Sequence, residues 1–239
     1  MSGPLPDAVV RYADHDDAVI DLHLPEGAAD RLVVLLHGGF WKSEWDRRHT
    51  RAMARALAGA GCTVATPEYR RVGAGGGWPV TGDDVLSAVT RLSSLLGSLG
   101  IAAGVPGVTG HSAGGQLALW LATTGVPIDR VVALAPVCDL REAIRLDLGD
   151  GATQALLDGA DPDPADPMVL FSSRPSAEVV LIHDVDDDDV PLSLSRGFVE
   201  RHPWVELREV PGDHLGLIEP GSAVWATVLA ALTERRGPL

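Results

Sequence analysis

Gly110-His111-Ser112-Ala113-Gly114 sets one hydroxyl among small residues in a G-x-S-x-G pattern. A serine flanked this way can stand on a turn too tight for larger neighbours, where its hydroxyl is free to attack a carbonyl carbon. Residues 103–109 are short, apolar and partly β-branched, and 115–122 carry strong helix formers. The serine therefore falls where a strand turns into a helix, and the reaction expected of it is acyl transfer with Ser112 as nucleophile.

Acyl transfer places negative charge on the former carbonyl oxygen, and preorganised backbone N–H groups stabilise it. His37-Gly38-Gly39-Phe40-Trp41 directly follows the apolar run Leu32-Val33-Val34-Leu35-Leu36 and resembles the glycine-rich oxyanion loop of esterases. The expected donors are the N–H groups of Gly39 and Phe40 and that of Ala113, just after the nucleophile.

A serine hydroxyl is a weak nucleophile near neutral pH, so a base must accept its proton and an acid must orient that base. After the strand-like run 205–210 comes Pro211-Gly212-Asp213-His214-Leu215-Gly216, a turn with an exposed histidine, and His214 is the expected base. The strand-like run 178–183 leads into Asp184-Val185-Asp186-Asp187-Asp188-Asp189-Val190-Pro191. One of these aspartates is the expected acid; Asp186, Asp187 and Asp188 all remain open on spacing, while Asp184 and Asp189 read as solvated loop residues. The glycine and distal glutamate of a calcium loop are missing, so no metal is expected. Of the other histidines, His37 and His111 are expected to brace the two loops by hydrogen bonds, and His15, His23, His49 and His202 to lie on the surface.

Together these motifs resemble the α/β-hydrolase superfamily over nearly the whole chain, and within it the small esterase and arylformamidase (kynurenine formamidase) branch. The resemblance implies Asp187 as the acid, through the D-x-x-V-P pattern common after this strand, and the chain order Ser112, Asp187, His214. The H-G-G-x-W form is similar to that of serine-dependent kynurenine formamidases, whereas hormone-sensitive-lipase-type esterases usually carry a third glycine where this chain has Phe40. The implied enzyme is a serine hydrolase that cleaves small carboxylic esters or aryl formamides through an acyl-enzyme, with no cofactor. Two alternatives stand beside it: a biosynthetic acyl transferase or cyclase on the same triad, and a non-catalytic ligand-binding protein on a hydrolase scaffold.

The elements that must position these residues follow a βαβ rhythm. The sequence predicts a hairpin over 8–24, strands at 31–36, 62–66, 104–109, 130–135, 178–183 and 205–210, and helices at 46–60, 83–99 and 115–124. This is an α/β fold with a mostly parallel central sheet and helices on both faces. Residues 141–177 break the rhythm and are expected to form a small helical cap or flap over the site. Trp41 and Trp78, in loops on the strand-exit side, are candidates to line a substrate pocket together with Phe40. Arg70 and Arg71 could hold a substrate carboxylate, although structural ion pairs are the expected role.

Length and composition fit this reading. The 239 residues suit one domain, 1–239, and 46% hydrophobic residues can supply its core. A formal charge of −14, from 19 basic and 33 acidic residues, argues against nucleic acid or anionic membrane as a partner and leaves a small ester or amide as the expected ligand. The sequence is silent on oligomeric state. The start Met1-Ser2-Gly3-Pro4 lacks a charged segment followed by an apolar one, so the expected compartment is the cytoplasm. Cys62 and Cys138 are expected to be buried free thiols.

Overall fold

A computed structural model describes residues 3–234 of the chain. The ends of the expected 1–239 domain, and the expectation drawn from Met1 and Ser2, lie outside the described residues.

Eight strands form one sheet in the order β1-β2-β4-β3-β5-β6-β7-β8. β1 (Ala8–Arg11) and β2 (Val19–His23) make the predicted antiparallel hairpin, and β2 also runs antiparallel to β4 (Cys62–Pro67). From β4 onward every pairing is parallel, through β3 (Arg31–Leu36), β5 (Gly107–His111), β6 (Arg130–Leu134), β7 (Glu178–Asp184) and β8 (Glu206–Val210).

The central strands read as continuous apolar runs because both of their faces are covered. On β3, Leu32, Val34 and Leu36 join the core on one side of the sheet and Val33 and Leu35 the core on the other. On β6, Val131 and Ala133 divide from Val132 and Leu134 in the same way. The first side is closed by α2 (Val80–Ser98), α3 (Ala113–Leu121) and α7 (Ser193–Arg201), which supply Leu92, Leu96, Leu117 and Phe198. The second is closed by α1 (Arg51–Gly59) and α8 (Trp225–Thr233), with Met53, Leu57 and Val228. Full burial of one such side chain contributes about 1.5–3 kcal/mol.

Departures from the predicted elements have local causes. The helix expected over 46–60 divides into a 3-10 turn, Arg47–Thr50, capped by the Asp46 carboxylate on the Arg48 N–H, and then α1. The nucleophile strand begins at Gly107 rather than 104, since Pro106 has no N–H to give to a ladder. The insertion holds α4 (Leu140–Arg145), α5 (Ala152–Leu157) and α6 (Pro167–Leu170). Asp139 and Asp166 cap α4 and α6 by accepting from the Glu142 and Met168 N–H groups.

Candidate active site

Ser112 stands between β5 and α3 with φ 56° and ψ −118°. A non-glycine residue at positive φ costs about 1–2 kcal/mol, so the surroundings must hold it there. Its N–H donates to the Leu134 carbonyl at 2.8 Å, and its own carbonyl accepts from Gly115, Gln116 and Val137. Glycine is required on either side. A Cβ on Gly110 would meet the Gly114 carbonyl, and one on Gly114 would meet the carbonyls of Leu36 and His37. The G-x-S-x-G spacing is thus the contact of β5, α3 and the end of β3 written in sequence.

The loop after β3 bends through three consecutive positive φ values, 104° at Gly39, 50° at Phe40 and 55° at Trp41. It touches the elbow: a Cβ on Gly38 would lie 3.2 Å from the Ser112 Cβ and 2.8 Å from the His111 carbonyl oxygen. Ala113 opens α3, so its N–H has no acceptor within the helix and the positive end of the helix dipole faces the elbow. Gly38 and Ala113 thus lie against Ser112, and Gly39 and Phe40 follow Gly38 in the same loop.

His37 braces this loop from below. Its ring donates to the Gly38 carbonyl at 2.9 Å and the Glu68 carboxylate at 2.8 Å, and it stacks on Tyr69, whose hydroxyl donates to the His37 carbonyl at 2.7 Å. Burial alone would raise the Glu68 carboxyl, but the charge and hydrogen bond of His37, with Arg71 and the Arg47 N–H, hold it down at about 2. Arg71 also reaches Asp17, and Arg70 makes a two-pronged pair with Asp84. Both arginines are thus committed to structural ion pairs.

Of the two tryptophans expected to line a pocket, Trp41 is a core residue and Trp78 is half-buried. Trp41 is only 1% exposed and donates its indole N–H to Gln116 Oε1 at 3.1 Å; Gln116 in turn donates to the Ala165 carbonyl. Trp78 packs edge-on against Trp120 with ring centroids 5.1 Å apart and covers Gly82. Both rings hold elements together. An exposed aromatic beside the loop after β3 is Trp45, which the sequence did not single out: it is 47% exposed and its ring lies where a Gly39 side chain would be. Sequence spacing held no sign of this, because the contact depends on the left-handed turn at Gly39–Trp41. Phe40 packs against Gly149 of the insertion.

Asp187 is the aspartate that the structure brings to His214. Its Oδ2 accepts from His214 Nδ1 at 2.6 Å, and its Oδ1 accepts from the N–H groups of Asp189 and Val190. Burial would raise this carboxyl, yet hydrogen bonds from His183 and His214, the His214 charge and the Val190 N–H hold it well below the usual carboxylate range. His183 is fixed in turn, with Nε2 donating to the Val190 carbonyl and Nδ1 accepting from the Ser195 hydroxyl at 2.7 Å. The His214 backbone is tied to the elbow, since His111 Nε2 donates to the His214 carbonyl at 2.8 Å. Burial, reinforced by nearby His214, pushes the His111 ring well below the ordinary histidine value, leaving it a neutral donor.

Several expectations about burial need correction. His214 is buried rather than exposed, because Leu217 and Ile218 of the following 3-10 turn anchor its loop in the core. His23 and His202 are also buried, His202 against Phe198 and Trp204. His49 packs edge-on to His37 and Trp45. Most consequential is Asp184. It is the last residue of β7 and fully buried, not a solvated loop residue. Burial raises its carboxyl, and the neighbouring Asp187 carboxylate adds to the rise.

One donor atom each from Asp184, Asp187 and His214 lies within 4.8 Å of the other two. Two carboxyls and an imidazole that close form an acid–base cluster. Asp187 already spends its oxygens on the imidazole and two amides, and we read no metal ligand from it. A hollow of about 510 Å³ lies elsewhere, at the start of β3, β5 and β6, lined by residues such as Arg31, Val105 and Arg130. Chemistry, not cavity size, locates the site.

A family model described as BD-FAE matches residues 20–140, about half of the chain. No curated protein matches. Among solved structures, a truncated carbohydrate esterase from gut microbiota superposes with a TM-score of 0.78 at 18% identity, over 95% of this chain and 94% of that one. Esterase B of Lactobacillus rhamnosis, inhibited by a tributyrin phosphonate, gives 0.79 at 19% identity, over 96% and 87%. Esterase 2 of Thermogutta terrifontis, phosphonylated by sarin, gives 0.76 at 20% identity, over 95% and 93%. At these identities the likeness is one of fold.

Proposed function

The chain belongs to the BD-FAE family and is an α/β-hydrolase, and from that premise we propose that it is a serine hydrolase acting on small carboxylic esters. One observation carries the reading: Ser112, held at positive φ on the β5–α3 turn, lies against the oxyanion loop while His214, paired with Asp187 at 2.6 Å, is tied to the same turn through His111. The esterases similar in fold support an ester as substrate.

In this reading Ser112 Oγ attacks the ester carbonyl as His214 takes its proton. Asp187 orients the imidazole and stabilises its charged form. The N–H groups of Gly39, Phe40 and Ala113 hold the oxyanion, where each such donor supplies about 2.7–4 kcal/mol. His214 then protonates the departing alcohol. Water, deprotonated by the same imidazole, resolves the acyl-enzyme to the acid. The whole chain acts as a single domain with 141–177 as its cap.

Labelling with a fluorophosphonate probe tests the nucleophile, with Ser112 modified in the native protein and no labelling in Ser112→Ala. A panel of acetyl and butyryl p-nitrophenyl esters beside aryl formamides tests the substrate class. Turnover of formamides above esters would move the assignment to an arylformamidase. Partition of the acyl group to an added alcohol or amine in preference to water would make the protein a transferase. A Ser112 that does not label at all overturns the proposal.

A further inference from the structure

Asp184 is a carboxylic acid with no visible reason to be where it is. It is 0% exposed, and neither of its oxygens has a hydrogen-bond partner on another described residue. An unpartnered buried carboxyl costs stability, so a compensating use is expected of it. Its surroundings define that use. An Asp184 oxygen lies within 4.8 Å of both an Asp187 oxygen and a His214 ring nitrogen, while its neighbour His183 also approaches Asp187, at 3.3 Å.

Resting on the proposed triad, we infer that Asp184 is a positioning residue of the site: a second carboxyl, behind the Asp187–His214 pair, whose negative charge favours the protonated imidazole. Two carboxyls so close cannot ionise independently. Asp187 is the one already charged, because it alone has the imidazole and two amides to stabilise it. Asp184 releases its proton to solvent as pH rises, and the charge it then carries acts on His214. No proton of Asp184 moves during turnover; the Ser112 proton goes to His214, and the imidazolium so formed is stabilised by two carboxylates rather than one.

The charged and titratable groups around the cluster leave this effect intact. His111, from the end of β5, packs on the His214 ring at 4.3 Å and stays neutral. His183, on β7, is engaged by Ser195 and Val190. Glu209, which pairs with His183 across β7 and β8, is exposed and held by Arg196.

The test uses the full chain with two variants, Asp184→Asn, which removes charge and keeps shape, and Asp184→Ala, which removes both. The rate of fluorophosphonate labelling of Ser112 is followed against pH, alongside kcat and KM for an ester that the native protein turns over. In both variants the acid limb of the labelling profile is expected to move to lower pH by about half a unit or more, the shift that a unit charge at this distance produces even with water-like screening. The same loss of imidazolium stabilisation lowers kcat by about threefold or more, with KM unchanged because Asp184 does not touch substrate. An acid limb that stays in place in Asp184→Asn, or a change seen in Asp184→Ala alone, overturns the inference and reduces Asp184 to a packing residue. Failure of Ser112 to label in the native protein is a separate result, which strikes the triad itself.

Discussion

In the proposed reaction Ser112 carries the chemistry, and the same residue holds the strained backbone. Its positive φ is imposed by its neighbours, so removing the hydroxyl leaves the backbone as it was. Ser112→Ala is expected to lose activity by about 10⁶ in kcat, as in comparable triads, with an unchanged thermal melt. Asp187→Asn would reverse the hydrogen-bond polarity at His214 Nδ1 and is expected to cost about 10⁴; the same change at Asp186 or Asp188, neither of which reaches the imidazole, should cost little. Asp184 gives a stability prediction of definite sign. Its folded carboxyl is raised by burial and by Asp187, so its contribution is fully present below the ordinary carboxylate range and is lost as pH rises through the raised value. Asp184→Asn is therefore expected to raise Tm near neutral pH and to leave it unchanged below pH of about 4. Melting curves at the two pH values check this, and an Asn variant no more stable at neutral pH would show that the carboxyl is not a burden to the fold.

At the scale of elements, the elbow is where β3, β5 and α3 meet most closely. A methyl group at position 110 or 114 would strike backbone carbonyls rather than side chains, which cannot rotate aside. Gly110→Ala and Gly114→Ala are expected to destabilise by about 1–3 kcal/mol or more and to displace Ser112, giving both a lower Tm and a loss of kcat. A native melt in either variant would mean that the turn relaxes freely. Such contacts explain what could be read in advance. The order of strands and helices, the elbow and the loop at 37–41 were legible because each depends on residues adjacent in sequence: apolar runs, glycines at fixed offsets, a histidine after the last strand. Spacing alone leaves Asp186, Asp187 and Asp188 open and only the family resemblance singles out Asp187, because which carboxylate reaches His214 depends on how β7 and β8 set the reach of each side chain. Trp41 and Trp45 lie four positions apart, yet one is core and the other surface, because the left-handed turn between β3 and the next helix reverses which way they face. Asp184 looked like one more residue of an acidic loop, whereas the ladder to β8 extends through it and carries it inside.

For the molecule as a whole, the question is whether the insertion after β6 can move. It is fastened from several directions. Lys42 Nζ donates to the Gly149 carbonyl at 2.8 Å, Trp78 N–H to the Leu156 carbonyl at 2.7 Å and Gln116 to the Ala165 carbonyl at 2.8 Å. Trp120 donates to the Pro164 carbonyl at 3.2 Å, and His202 lies 3.2 Å from the Met168 carbonyl. These anchors come from the loop after β3, the loop before α2, α3 and the end of α7, so the insertion cannot swing away without breaking bonds to parts of the fold that include the loop and helix beside Ser112. A lipase-type lid must do the opposite and open at an interface. The expected outcome is a rate that saturates with ester concentration and shows no jump at the micellar concentration, with kcat/KM falling in a graded way from acetyl and butyryl to dodecanoyl esters, because each methylene in a confined site changes discrimination by only about 1–3 kcal/mol. A chain-length series of p-nitrophenyl esters, measured below and above the micellar concentration, decides it. Efficiency that climbs steadily toward the dodecanoyl ester, or an abrupt rise in rate at the interface, would mean that the anchors at Gly149, Leu156 and Ala165 yield during turnover and that the insertion is a lid after all.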